Sequence, residues 1–256
     1  MVSPAVLPYI FFAIGIVIGS FLCLCAYRIP RGESILYPPS RCSHCGRRIK
    51  AIDLVPLLNY VWLRGRCRFC GCGISVFHPL SELSTGLLFM AACLCYGLSV
   101  PLIKALFFIS LFILISVIDM EHYIIPDKVI VFALCVGIIF MIFTGDPAFT
   151  SALAGFGAAL LFLLVLAVAS RGGMGGGDIK LAAVMGLCLG WPNGAVAVLL
   201  GCLLAGLAGL TLILLKVKCR KDVIPFGPFL SAGTLIALHS GSEIISWYFN
   251  SVLIVN

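Results

Sequence analysis

The chain has 256 residues, 62% hydrophobic and only 11% charged, with a mean hydropathy of +1.18. A soluble globular domain is excluded, because such domains carry nearer a quarter charged residues. At about 20 apolar residues per crossing, the length has room for roughly eight membrane spans. The net charge is 17 − 10 = +7, and in a membrane protein those cations mark the cytoplasmic side. Thirteen cysteines would indicate a disulfide scaffold only in a small secreted chain, which this composition is not.

The first predicted span runs from Leu7 to Tyr27. The residues before it lack a basic stretch and a small-residue cleavage site, so it reads as retained and not as a removed signal peptide. Arg28, Ile29, Pro30 and Arg31 end it. The polar stretch from Arg28 to His78 holds nine of the seventeen basic residues against two acids, Glu33 and Asp53, which places it in the cytoplasm and the N-terminus outside. Apolar runs then recur at Leu80 to Leu98, Leu102 to Ile118, Val129 to Phe143, Ala152 to Ala169, Leu181 to Leu189 and Ala195 to Leu215, with a last region from Phe229 onward. Alternating crossings put Glu121 to Lys128, Arg171 to Lys180 and Lys216 to Asp222 inside as well. Sixteen of the seventeen basic residues then sit at the cytoplasmic edge, with Lys104 the exception. The sixth run is short, ended by Trp191, Pro192 and Asn193, and the tail from Gly241 either spans or lies at the interface. The expected fold is an all-α polytopic membrane protein of about eight transmembrane helices, with a cytoplasmic zinc-binding loop between helices 1 and 2. Its divisions are residues 1–27, a first span; 28–78, the loop; and 79–256, the remaining bundle.

The loop contains Cys42-Ser-His-Cys45-Gly and Cys67-Arg-Phe-Cys70-Gly, with 21 residues between the pairs. Four thiolates so spaced can meet at one tetrahedral zinc, each glycine letting its turn close around the metal. A reducing cytoplasm disfavours disulfides. Four unligated thiols, or a redox pair, are the plain alternative, and Cys72 and His44 are substitute ligands. Such a loop has no sizeable core and would draw much of its folding free energy from the metal. Cys23, Cys25, Cys93, Cys95, Cys135, Cys188 and Cys202 lie in the spans as small hydrophobes.

Carboxylates abutting apolar spans are costly unless they have a job or a partner. Asp119 ends the third span, and Asp178 follows a cluster with five glycines in the six positions from Gly172 to Gly177. Both fall at the cytoplasmic level. Two close carboxylates share a proton, one acting as base toward water and the other as acid toward a carbonyl, which is the chemistry of aspartic peptide hydrolysis. The glycines would let a substrate backbone approach. The alternatives are structural: Asp178 as a helix N-cap and Asp127, after Pro126, as an acid opposing a helix dipole. A phosphate cradle lacks its preceding strand and its Gly-Lys-Ser/Thr. Glu121, His122, Lys128 and Glu82 read as solvated interfacial groups.

Taken in order, several segments resemble the type IV prepilin peptidases, the bifunctional leader peptidase and N-methyltransferase family. They are Gly19-Ser-Phe-Leu with Tyr27-Arg-Ile-Pro; the two C-x-x-C pairs with Ile74-Ser-Val-Phe-His-Pro-Leu-Ser-Glu82-Leu; Ile118-Asp119 with Ile125-Pro-Asp127; Gly175-Gly-Gly-Asp178-Ile-Lys180-Leu, similar to the G-x-G-D motif; and Ile224-Pro-Phe-Gly-Pro-Phe-Leu230. The resemblance implies that Asp119 and Asp178 are the catalytic aspartates. Asp127, Gly175, Gly177 and Lys180 become accessory candidates. It also implies cleavage of a short basic leader after a glycine, at the cytoplasmic face of the bacterial inner membrane, from pilin or type II secretion pseudopilin precursors. Methylation of the new N-terminal amine would use S-adenosylmethionine. Cys23 stands where the family usually has asparagine, and His78 where an aromatic is common.

The placement suits such a substrate, since acids at the cytoplasmic end of the spans can cut where an apolar helix meets its charged leader. Irregular backbone around Pro225, Gly227 and Pro228 would line a water-filled recess. The loop's arginines would lie near anionic lipid headgroups, and no nucleic-acid partner is expected. Three competing readings are a peptidase without methyl transfer, a proton-coupled transporter, and a docking module on a secretion subunit. The transporter should carry inverted repeats, of which none is visible.

Overall fold

A computed structural model describes residues 5–170, 173–219 and 222–253. Arg171, Gly172, Arg220 and Lys221, assigned above to cytoplasmic segments, and the residues from Ile254 lie outside the described residues. The helices are α1 (Leu7–Arg28), α2 (Leu58–Trp62), α3 (Phe77–Tyr96), α4 (Val100–His122), α5 (Asp127–Thr144), α6 (Phe149–Ala169), α7 (Gly176–Leu189), α8 (Asn193–Leu214) and α9 (Gly227–Tyr248). Among the described residues there is no strand, so the all-helical expectation holds.

Eight of these helices answer to the eight predicted runs. Six of them, α1, α3, α4, α5, α6 and α8, are long and apolar enough to cross a bilayer. Helix α7 has 14 residues, or about 21 Å at 1.5 Å per residue, short of the roughly 30 Å hydrocarbon thickness. It nevertheless starts five positions before the predicted run, because Gly176, Gly177 and Asp178 form its first turn. Helix α9 is 22 residues long but carries Ser231, Thr234, His239, Ser242 and Glu243, which dilute its apolar character.

The chain divides into two compact units, Met1–Ile118 and Asp119–Asn256. In the first, α1 and α3 cross on small residues. A Cβ at Gly15 would lie 2.7 Å from the Gly86 Cα, and one at Gly19 would lie 2.7 Å from the Glu82 Cα. Gly15 and Gly19 are thus a small-xxx-small pair that lets two backbones touch where lipid gives no hydrophobic drive. At the end of α1, Arg28 is buried and donates to the carbonyls of Ser34 (2.8 Å), Ile35 (3.1 Å) and Pro38 (2.7 Å), folding the start of the loop back on the helix. In the second unit α7 presses on α6 at Gly186 and Gly155, where either glycine's Cβ would collide with the other's carbonyl. Helix α9 similarly meets α8 at Gly233 and Gly201.

Candidate functional site

Two constellations stand out, one in each unit. In the loop, Cys42 and Cys67 each open the same turn. The Cys42 amide donates to the Arg47 carbonyl (3.0 Å) and the Gly46 amide to the Cys42 carbonyl (2.9 Å); the Cys67 amide donates to Cys72 (2.8 Å) and the Gly71 amide to Cys67 (2.9 Å). Gly46 and Gly71 both have φ of +69°, the left-handed conformation that the C-x-x-C-G pattern required. Short antiparallel pairings, Arg41 with Arg48 and Arg66 with Gly73, close the two knuckles. The sulfurs of Cys42, Cys45, Cys67 and Cys70 lie within 4.8 Å of one another, with Cys42 and Cys70 3.8 Å apart. A tetrahedral site with metal–sulfur bonds of about 2.3 Å has edges of about 3.8 Å, so the four thiols fit a metal ion. All four predicted ligands are together, and Cys72 and His44 are outside the set.

Beneath the second knuckle, Arg68 donates to both carboxylate oxygens of Asp53 (2.9 Å and 3.1 Å from Nε, 2.5 Å from a terminal nitrogen). Asp53 is buried, and the Arg68 guanidinium holds its carboxyl below the usual range.

In the second unit, Asp119 lies buried in the last turn of α4, 5% exposed. Its Oδ2 accepts the Gly227 amide at 2.8 Å, and the Phe226 amide also donates to this carboxylate. Those are the first amides of α9, so the positive end of that helix is aimed at Asp119. Asp178 is the third residue of α7 and half-buried; its carboxylate accepts the Gly175 amide, in the manner of the acid of a capping box. It is therefore not the N-cap, which is Gly175. The two carboxylates are near enough for the charge of Asp119 to act on Asp178. Around them side chains are missing where they would obstruct. A Cβ at Gly227 would sit 2.9 Å from Asp119 Oδ2, one at Gly175 3.2 Å from Asp178 Oδ2, and one at Gly177 3.1 Å from the Ile125 Cβ. Asp127 opens α5, is exposed, and binds Lys180 Nζ at 2.8 Å. It is thus an outer ion pair that ties the first turn of α5 to α7.

Residues 13–96 match the bacterial peptidase A24 N-terminal domain, and residues 106–210 match the type IV leader peptidase family. A protein from Bacillus subtilis, named prepilin leader peptidase/N-methyltransferase, is 36% identical over 95% of this chain and 98% of its own length. The chain belongs to the type IV leader peptidase family. A relative of the same name from Aeromonas hydrophila is 32% identical over 96% of this chain and 97% of its own length, and one from Pseudomonas putida 32% identical over 90% of each. No solved structure matches. With its apolar helices, membership makes the chain a multi-pass bacterial membrane protein.

Three positions correct the sequence reading of this family member. Glu82, read as a solvated interfacial charge, is buried in α3 and accepts the Leu57 amide at 2.7 Å. His122 is half-buried with its Nε2 enclosed, so it is not simply solvated either. Arg28, read only as the end of the first span, is a buried organiser of the loop. Their charges gave no signal of burial, because Glu82 and Arg28 are satisfied by backbone groups that come together only in three dimensions, and the enclosure of His122 likewise arises only in the fold.

Proposed function

We propose that the chain removes the leader peptide from type IV prepilin or type II secretion pseudopilin precursors at the cytoplasmic face of the inner membrane, and methylates the new N-terminus. The observation that carries the peptidase reading is the meeting of Asp119 and Asp178 at the first turns of α9 and α7. Asp119 and Asp178 share a proton. The ionised carboxylate takes a proton from water, whose oxygen attacks the scissile carbonyl carbon, while the protonated carboxyl gives its proton to the carbonyl oxygen. Collapse of the tetrahedral intermediate breaks the C–N bond as the first carboxyl passes the proton it took from water to the leaving amine, while the second carboxylate takes a proton from a diol hydroxyl, which restores the pair. The amides of Phe226, Gly227 and Gly175 orient the acids, and the bare Gly175 to Gly177 segment leaves room for the substrate backbone. Asp127 and Lys180 hold α5 against α7 and play no chemical part.

Cys42, Cys45, Cys67 and Cys70 would hold zinc as a closed structural site, the donor set being all thiolate. When bound, S-adenosylmethionine supplies an electrophilic methyl group. The loop surface has a half-open depression of about 350 Å³ whose walls include Ser40, Arg48, Lys50 and Leu54. There the cations can pair with the donor's carboxylate and Leu54 can cover apolar surface. We place methyl transfer in the loop unit on this basis. The sidedness follows from the basic residues gathered in the loop.

The test is purified enzyme in detergent with one precursor, followed by intact-mass analysis. Asp119→Asn and Asp178→Asn should each lower leader cleavage by about 10²-fold or more, the usual contribution of a positioned acid or base. Both variants should remain in the membrane. Cleavage at wild-type rate in either would overturn the assignment.

A further inference from the structure

Helix α2 turns its apolar residues outward. Leu58, Val61 and Trp62 stand at i, i+3 and i+4, one helical face, and are 66%, 75% and 79% exposed. The opposite side carries polar groups inward: the Asn59 side-chain amide donates to the Asp53 carbonyl, and the Tyr60 ring covers Gly65. A helix designed to face water would do the reverse. The orientation is enforced at both ends, since Leu57 (φ 59°) and Arg64 (φ 52°) hold left-handed conformations that such residues adopt only under constraint.

The helix is also anchored to α3. The Leu57 amide donates at 2.7 Å to Glu82, which is buried as the sixth residue of α3, five positions from its start at Phe77. Five residues of rise place that anchor about 8 Å along α3 from its start, close to the cytoplasmic end of a helix long and apolar enough to cross a bilayer. Arg64 and Arg66 follow α2 directly and are exposed. The segment from Arg28 to His78 has nine basic residues and two acids, one of which, Asp53, is already taken by Arg68.

We infer that the Leu58, Val61 and Trp62 face of α2 is seated in the headgroup region of the surrounding bilayer, with Arg64 and Arg66 against anionic lipid phosphates. Tryptophan prefers this zone, an amphipathic face sinks about 5–10 Å into it, and cations beside it gain from the negative surface. The loop is thereby held flat on the membrane, and the thiolate site with it.

The experiment uses the full chain with Trp62 as its single tryptophan (Trp191→Phe, Trp247→Phe), reconstituted in phosphatidylcholine and phosphatidylglycerol vesicles with or without brominated acyl chains. Brominated lipid should quench the Trp62 emission by about half, as for a side chain at the acyl boundary, while aqueous iodide quenches it little. Val61→Glu should at least halve the bromolipid effect, and so should replacing phosphatidylglycerol with phosphatidylcholine. Emission open to iodide and untouched by bromolipid would put the face in water. Emission shielded from both would mean that protein covers it. Either result overturns the proposal. If the double variant fails to fold, the difference between wild type and Trp62→Phe reads the same quantity.

Discussion

Gly227 has no side chain, yet it sits as close to the chemistry as any residue of the second unit. Its amide holds Asp119 Oδ2, and a Cβ there would come within 2.9 Å of that oxygen. Gly227→Ala should therefore displace the carboxylate while leaving helix α9 intact. We expect kcat for leader cleavage to fall about 10- to 100-fold, since sub-ångström misplacement of an acid is expensive, with KM nearly unchanged. Steady-state kinetics on a purified precursor would read this, and an equal loss in KM would point instead to substrate contact. Asp127→Asn should cost less than about threefold, because an exposed ion pair contributes little. If that variant is inactive while Asp119→Asn cleaves, the acid of the first pair has been misassigned. At this scale the sequence was legible where a residue type is costly in its setting: Asp119 and Asp178 beside apolar runs, and the four cysteines at metal spacing. It was silent where an ordinary charge is satisfied by distant backbone. Glu82 finds Leu57 across 25 positions and Arg28 finds three loop carbonyls, and no spacing rule anticipates either.

The loop as an element depends on the thiolates and on one ion pair. In zinc-finger peptides the metal contributes about 10–16 kcal/mol of apparent folding free energy, far more than a small loop core can. One zinc per chain is expected by metal analysis, and strong chelation should expose the loop to proteolysis while the membrane helices stay protected. A stoichiometry near zero in folded protein, with all four thiols open to alkylation, would remove zinc from the account. The Asp53–Arg68 pair gives a second handle. Because the Asp53 pKa is depressed in the folded loop, its stabilisation is complete above the ordinary carboxylate range and is lost as pH falls through that lowered value. Hydrogen exchange in loop peptides should accordingly be faster in Asp53→Asn than in wild type at pH 7, and the gap should close in acid below about pH 4. A gap that persists there would show that the pair acts through packing and not through charge. Long elements were readable from apolar runs, while α2 was not, since five residues with an outward apolar face look like a fragment of a polar loop. Helix α7 was foreshortened for the opposite reason: its first turn, two glycines and an aspartate, carries no apolar signal, although an acid at the third helical position is a good helix start.

At the scale of the whole molecule, the chain divides at Ile118 and Asp119, so the first family match, residues 13–96, lies wholly in the first compact unit, and most of the second, residues 106–210, lies in the second. The thiolate site and the depression lie wholly within the first unit. Asp119, Asp178 and the amides of α9 lie wholly within the second. Each unit also carries its own close helix crossing, Gly15 and Gly19 against α3 in one and Gly155 against Gly186 in the other. Two half-reactions placed in two such units should be separable. Cys42→Ala or Cys67→Ala should thus lower methylation at least about tenfold, as loss of a metal ligand does, while leader cleavage falls less than about threefold. The measurement is intact mass of the mature pilin from each variant, with leader loss and the added methyl scored separately. Conversely, Asp178→Asn should leave methyl transfer to a pre-cleaved pilin intact. Equal loss of both products across several loop variants would mean that the loop shapes one shared site, and the assignment of one reaction to each unit would be wrong.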